Sequence, residues 1–290
     1  MQGIIIINSS FVKQINLTEG RRNQKQAGSE VKTFNVPFPF GEIKKDITIN
    51  TKTPDQSSKE KIINQAFKFH SEGNISEAAK YYQYFIDQGF NDQRAFSNYG
   101  IIFKDVGKLK EAEALLRKAI LLDPSFAKAH SNLGTVLIDL GKLKEAEVLL
   151  RKAIELDNEL AEAYSNLGTV LIELGNLKEA EVFLRKAIEI KPDLADAHSN
   201  LGLVGRGLGN LKEAEILLHK AIDIKPDFVN AYLNLGLILR DVGNLKEAEI
   251  LFLKAIDIKP DFAEAHSNLG NILIDLERSK EAELPQRKAI

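Results

Sequence analysis

The sequence predicts an all-α fold: an α-solenoid of about seven stacked helical hairpins over residues 57–290, preceded by a leader, residues 1–56, that is mostly disordered or extended. Two observations carry this prediction. Gly100, Gly134, Gly168, Gly202, Gly236 and Gly270 stand 34 residues apart, and so do Ala112, Ala146, Ala180, Ala214, Ala248 and Ala282; a fixed period of this length marks a chain built from one repeated supersecondary unit. Each period also holds two amphipathic stripes, Phe126, His130, Leu133, Leu137 and Leu140 in one, and Ala146, Leu149, Leu150, Ala153 and Ile154 in the other, each with the spacing of a helix that buries one face.

The leader comes first. Residues 1–57 hold 8 basic and 5 acidic residues, a charge of +3, against −5 for the remainder and −2 overall. Its only apolar run, Ile4 to Ile7, is shorter than the roughly 7–15 residues of a signal-peptide core, and no basic residue precedes it. Pro37 and Pro39 favour extended backbone, and Ile47 to Thr51 alternates as one short strand does. Phe34, Phe38 and Phe40 make the alternative reading, a docking motif. No stretch approaches the about 20 apolar residues of a membrane span. The chain reads as soluble, not exported and cytoplasmic, with no membrane partner.

The repeating units start at Lys59, Gln93, Ala127, Ala161, Ala195, Val229 and Ala263; the first is divergent and the last incomplete. Within a unit, Gly141 fits the left-handed cap that ends the first helix, and Pro192 with Asp193 ends one unit and opens the next. Asp193 with Asp196, Asp261 with Glu264, and Ser57 with Glu60 have capping-box spacing. Gly134 lies inside a helix, where it costs about 1 kcal/mol relative to Ala. Its recurrence implies a close contact, expected at the small Ala146 of the partner helix. No single hairpin buries both its stripes, so neighbours must stack.

These residues resemble the tetratricopeptide repeat (TPR), whose pattern falls in the third unit at His130, Leu133-Gly134, Leu137, Ala146, Leu150 and Ala153, with Asn158 in place of the family's proline. Pro124, Pro192, Pro226 and Pro260 supply that proline elsewhere. The resemblance implies a right-handed superhelix and a protein-interaction scaffold that holds an extended peptide in a groove lined by the first helix of each unit. One column of that helix stands out: Asn64, Asn98, Asn132, Asn166, Asn200, Asn234 and Asn268. An Asn amide both donates and accepts, so a ladder of them suits a peptide backbone whatever its side chains. The ladder is similar to that of the repeat region of O-linked N-acetylglucosamine transferases. The other reading of the column is structural, with each Asn satisfying polar groups of a neighbouring helix. Ser97, Ser131, Ser165, Ser199 and Ser267 precede five of these residues. Asp105, Asp139, Glu173, Asp241 and Asp275 form an acidic column at the helix end, suited to a polar or basic ligand or simply to solvent. The chaperone-binding members use a Lys before the Asn, where this chain has Ser or Leu, so it is not expected to be an adaptor for chaperone C-terminal tails.

Enzyme chemistry is not expected of the array. The absence of cysteine removes thiol nucleophiles and thiolate metal sites. His130, His198 and His266 recur two units apart, too far to share one metal at ligand distances near 2.1 Å. No cofactor, metal or nucleic-acid partner is implied, since net charge and basic clustering are both small. Gly205 to Gly209, "GRGLG", follows a helix rather than a strand, so it reads as a weakened helix end and a hinge instead of a phosphate loop. The leader's "VPFPFGEI" and the first unit resemble a group of TPR proteins of marine cyanobacteria that often carry a transferase after the repeats. This gives the alternative function: the substrate-recruiting front of a glycosyl-, sulfo- or methyltransferase. The last unit, "SKEAELPQRKAI", puts Pro285 inside its second helix, Gln286 at an apolar site and Glu277 at the turn glycine, which reads as truncation or decay rather than as a designed cap.

Overall fold

In a computed structural model, residues 56–289 are described, and they form fourteen helices in chain order. The readings placed on residues 1–55 lie outside the described residues. The first hairpin is α1 (Gln56–Ser71) with α2 (Ile75–Asp87), followed by α3 (Gln93–Asp105) with α4 (Leu109–Leu122), and α5 (Ala127–Asp139) with α6 (Leu143–Leu156). Then come α7 (Ala161–Glu173) with α8 (Leu177–Ile190), α9 (Ala195–Gly207) with α10 (Leu211–Ile224), and α11 (Val229–Asp241) with α12 (Leu245–Ile258). The last hairpin is α13 (Ala263–Asp275) with α14 (Ser279–Lys288).

Each helix packs on its hairpin partner and on the next element in sequence. The first helices of successive units also touch one another, α3 on α5, α5 on α7, α7 on α9, α9 on α11 and α11 on α13, whereas second helices make no comparable contact among the described residues. Closer spacing on one side than on the other bends the stack, and the first helices take the inside of the bend. The apolar stripes meet in one core that runs through the middle units, from Ala112 and Leu116 to Leu201 and Val204.

The recurring helix glycine is explained by the side chain that covers it. A Cβ on Gly134 would stand 2.6 Å from Leu150 Cγ, and one on Gly168 2.5 Å from Leu184 Cγ. The close approach is therefore to the leucine of the second helix, not to Ala146; where an alanine takes part, as at Gly202, it is through the Ala214 carbonyl. Tyr82 and Phe252 fill the same place in units one and six, both fully buried, and Ala66 stands where the first unit would have its glycine.

The turn after each first helix follows its glycine. Gly141 has φ +70, its N–H reaches the Ile138 carbonyl, and the Lys142 N–H reaches back to Leu137, both at 2.8 Å, the paired bonds of a left-handed helix cap. Glu277, in the last unit, is forced into the same conformation at φ +62, which costs a non-glycine residue on the order of 1 kcal/mol. The capping boxes at Asp193 and Asp261 are not formed. Residues 194 and 262, Leu and Phe, are the N-caps, without side-chain cap bonds, so Asp193 and Asp261 fall one residue too early. The first helix begins at Gln56, which leaves Ser57 inside its first turn. The aspartate that ends the preceding helix serves the junction instead, as Asp123 Oδ1 accepts from the Ser125 N–H and hydroxyl. Asp92 is a side-chain N-cap, accepting from the N–H groups of Arg94 and Ala95. Helix α14 continues through Pro285, although proline offers no N–H to the Glu281 carbonyl.

Candidate functional site

The seven asparagines all lie on first helices, the inner side of the stack. Asn98, Asn132, Asn166, Asn200, Asn234 and Asn268 are half-buried, and Asn64 is exposed. The amides of units two to six follow one rule: each Nδ2 donates to a hydroxyl of the unit before it. Asn166 bonds Thr135 Oγ1 and Asn200 bonds Thr169 Oγ1, both at 2.9 Å. The threonine's place is taken by Ile101 in unit two and Leu203 in unit five, so Asn132 bonds Ser97 Oγ at 3.0 Å and Asn234 bonds Ser199 Oγ at 3.5 Å. Unit one offers neither, and Asn98 uses the Tyr82 hydroxyl at 3.0 Å, which also meets His70 Nδ1 at 3.1 Å. Unit six offers neither, and Asn268 turns to the carbonyl of Glu264 in its own helix while Arg240 donates to its Oδ1.

Two of these amides are fixed in direction. Thr135 donates its hydroxyl proton to the Ser131 carbonyl at 3.2 Å, and Thr169 does the same to Ser165 at 3.3 Å. Each threonine oxygen is thus left only to accept, so Nδ2 of Asn166 and Asn200 must face it and Oδ1 faces the other way. Among the described residues, Oδ1 of Asn132, Asn166 and Asn200 has no partner. The inter-unit satisfaction expected of a structural column is present, and it leaves acceptors over.

The serine column is not a ligand surface in the middle of the array: Ser97, Ser131, Ser165 and Ser199 are buried at the junctions, and only Ser267 is exposed. The acidic column is partly paired. Lys104 lies between Asp105 at 3.7 Å and Asp139 at 3.8 Å, while Arg206 holds Asp241 at 2.6 Å. Sequence reasoning passed over Thr135 and Thr169, although their 34-residue spacing was a usable signal. The "GRGLG" glycines lie in and after an unbroken helix: a Cβ on Gly205 would meet Ala214 Cβ at 3.1 Å and one on Gly207 would meet Leu177 Cδ1 at 2.7 Å. They admit neighbours closely, and α9 runs unbroken through Gly205 and Gly207.

The repeated histidines have a shared structural task. Nε2 of His130, His198 and His266 donates at 2.9 Å to the carbonyl of Pro124, Pro192 and Pro260, and Tyr232 makes the same bond to Pro226 at 3.1 Å. A carbonyl only accepts, so these imidazoles carry their proton on Nε2, and Nδ1 is buried without a partner. Among the described residues no group of three His, Asp or Glu could hold a metal ion.

The outer helices carry an ion ladder. Arg117 joins Glu113 at 2.7 Å to Glu145 of the next unit at 2.5 Å, Arg151 joins Glu147 to Glu179, and Arg185 joins Glu181 to Glu213. Burial works against the charge of Glu113, but the bonds from Lys142 and Arg117 outweigh it and hold the carboxyl below the usual range.

Comparison with known families decides what this periodic stack is. Family models described as "Tetratricopeptide repeat" match residues 93–126, 125–193 and 159–227, and one described as "TPR repeat" matches 236–276, between them more than half of the chain. The array is built of tetratricopeptide repeats. Comparison with curated proteins finds no match. Among solved structures, the TPR array is similar to the Cut9–Hcn1 hetero-tetramer of the APC/C (TM-score 0.71, 18% identity, 77% of this chain and 44% of that one). It is similar also to a tetratricopeptide repeat protein of Parabacteroides merdae (0.62, 21%, 80% and 92%) and to pilF of Pseudomonas aeruginosa (0.57, 23%, 67% and 88%). At these identities the likeness is one of fold. No described helix is long and apolar enough to cross a membrane.

Proposed function

We propose that this TPR array is a protein-interaction scaffold that holds an extended segment of a partner protein on the inner face of its first helices, with the asparagine column as the gripping rail. One observation carries the reading: Thr135 and Thr169 lock the amides of Asn166 and Asn200 so that their unpartnered Oδ1 atoms face away from the junction. Such oxygens accept from backbone N–H groups, which every non-proline residue supplies, so the grip tolerates sequence. Pre-ordering the acceptors also lowers the entropy lost on binding.

The spacing suits an extended chain. Adjacent helix axes lie about 8–10 Å apart and an extended peptide rises about 3.3 Å per residue, so one rung serves roughly every third residue. The rungs from Asn98 to Asn234 then engage about twelve residues.

The test is capture of a synthetic library of dodecapeptides on the immobilised full chain. Replacing Asn132→Ala with Asn166→Ala removes two rungs and is expected to weaken capture by about 5- to 150-fold, at roughly 0.5–1.5 kcal/mol per bond, with little change in melting temperature. The Thr135→Val variant separates the two roles of the column: it frees the Asn166 amide without removing it and should weaken capture less. Unchanged capture with lost stability in the double alanine variant would make the column a junction tie and nothing more.

A further inference from the structure

We infer that the groove also carries one specificity site: a cleft between units four and six that takes a bulky apolar side chain of the bound segment, with an acidic residue of that segment beside it. The inference deepens the rail reading and rests on it. The cleft, of about 380 Å³, is lined by Ile172, Leu177, Leu203, Arg206, Gly207 and Asp241, a size at the lower end of ligand pockets, which run from about 300 to 1,000 Å³.

Three residues of unit five converge on this place, two of them of the same type as in unit six, Leu237 and Arg240. Leu203 stands where units three and four have Thr135 and Thr169; the hydroxyl that would anchor Asn234 is gone, that amide falls back to Ser199 at 3.5 Å, and an apolar wall takes over. Gly207 stands where units two, three, four, six and seven carry Asp105, Asp139, Glu173, Asp241 and Asp275. A Cβ there would begin 2.7 Å from Leu177 Cδ1, so the glycine lets Leu177 close in and form one wall of the cleft. Arg206 replaces Ile138 and Ile172 and adds charge to an otherwise apolar lining.

The charge chooses the ligand's neighbour. Arg206 Nε holds Asp241 at 2.6 Å and Arg240 reaches the same carboxylate at 3.8 Å: two guanidiniums share one carboxylate, a local excess of one positive charge among these three groups. In units two and three the balance is reversed, since one ammonium, Lys104, stands between Asp105 and Asp139. A segment lying on the rail is thus held with its acidic part at units five and six. The occupant is an extended peptide with Leu, Ile, Met or Phe in the cleft and Asp or Glu within two residues of it.

The experiment is selection from a dodecapeptide library with blocked ends, captured on the immobilised full chain, wild type against Gly207→Glu, Leu203→Thr and Arg206→Gln. The first two copy residue types that other units carry at these places, and melting curves check that each variant is folded. Wild type is expected to enrich large apolar residues at one register position by about tenfold or more, the scale of burying one such side chain. Gly207→Glu and Leu203→Thr should keep capture and lose that enrichment, and Arg206→Gln should lose only the acidic preference. Should Gly207→Glu unfold, Leu203→Thr decides alone. Capture by wild type without apolar enrichment, or enrichment that survives Leu203→Thr, overturns the cleft and leaves the rail standing. No capture by wild type overturns the rail and the cleft with it.

Discussion

Replacing Gly134 by Ala sets two effects of known size against each other. Helix propensity favours the change by about 1 kcal/mol. The new Cβ, however, would meet Leu150 at 2.6, 2.8 and 3.3 Å from Cγ, Cδ2 and Cδ1, where carbon atoms rest comfortably at about 3.5–4.0 Å. Leu150 is fully buried and cannot swing into solvent. Overpacking of this kind costs about 1–3 kcal/mol, so Gly134→Ala is expected to destabilise by as much as about 2 kcal/mol. The cause is isolated by repeating the change in a Leu150→Ala background, itself about 2–5 kcal/mol less stable. All three clashing atoms are then gone, so Gly134→Ala should stabilise by about 1 kcal/mol, a coupling of roughly 1–3 kcal/mol across the cycle. Urea denaturation followed by circular dichroism gives the four stabilities, fitted as a nearest-neighbour array because long repeats do not melt in one step. If Gly134→Ala stabilises the parent chain, or the coupling lies within about 0.5 kcal/mol of zero, Leu150 is not the reason for the glycine.

Two further outcomes are expected. His130→Tyr should be nearly neutral, because Tyr232 makes the equivalent bond to Pro226, whereas His130→Phe leaves the Pro124 carbonyl without its donor and should cost about 1–3 kcal/mol in the same denaturation assay. Stability should also fall with acid in two stages, read as melting temperature against pH. Burial, and then the charge of Lys128, holds His70 below the usual imidazole range, so the unfolded chain binds more protons as pH drops below about 6.5 and the first unit weakens first. The carboxyls of Asp92, Glu113 and Glu162 are buried against their charge yet held low by Arg94, by Lys142 with Arg117, and by Lys191. Their contribution is complete above the ordinary carboxylate range and is lost below about pH 4. Glu113→Gln should remove its share, about 0.5–1 kcal/mol at low salt, and a melting temperature flat to pH 3 would contradict this assignment.

The hairpin array was legible because one period places Gly, Ala and both stripes on the same two helices in every unit, so each local ambiguity is answered several times. The turns were legible for the same reason, since Gly141 and its repeats need a left-handed residue. What the sequence concealed was always a matter of which partner. The overhang above Gly134 belongs to Leu150 and not Ala146, because both columns have the right period and only side-chain direction separates them. The spacing of Asp193 with Asp196 is a capping box on paper; the chain leaves the turn one residue later, and the apolar Leu194 takes the cap. The asparagines were visible as a column, but the anchors of Asn132, Asn166, Asn200 and Asn234 are 31 or 35 residues earlier, and the choice between them hangs on a single hydroxyl that Thr135 has and Ile101 lacks. The cleft at Gly207 was invisible for a further reason: the missing side chain lets Leu177 approach, and a glycine in a helix reads first as weakness.

That the asparagines of units two to six take their hydroxyl partner from the unit before bears on how such arrays diversify. A hairpin cut from the middle and moved elsewhere keeps its helices, its core and its Asn, but it inherits whatever hydroxyl, or none, its new predecessor presents. The smallest portable piece of the rail is therefore two hairpins, read across their seam. Duplicating unit four behind itself would extend the rail by one fixed rung, since Thr169 would anchor the copy's amide. Duplicating unit five would add a rung that leans on Ser199's counterpart and, beside it, another cleft. The asparagine column is thus written in the order of the units as much as in their residues, and shuffling repeats edits it even when no residue changes.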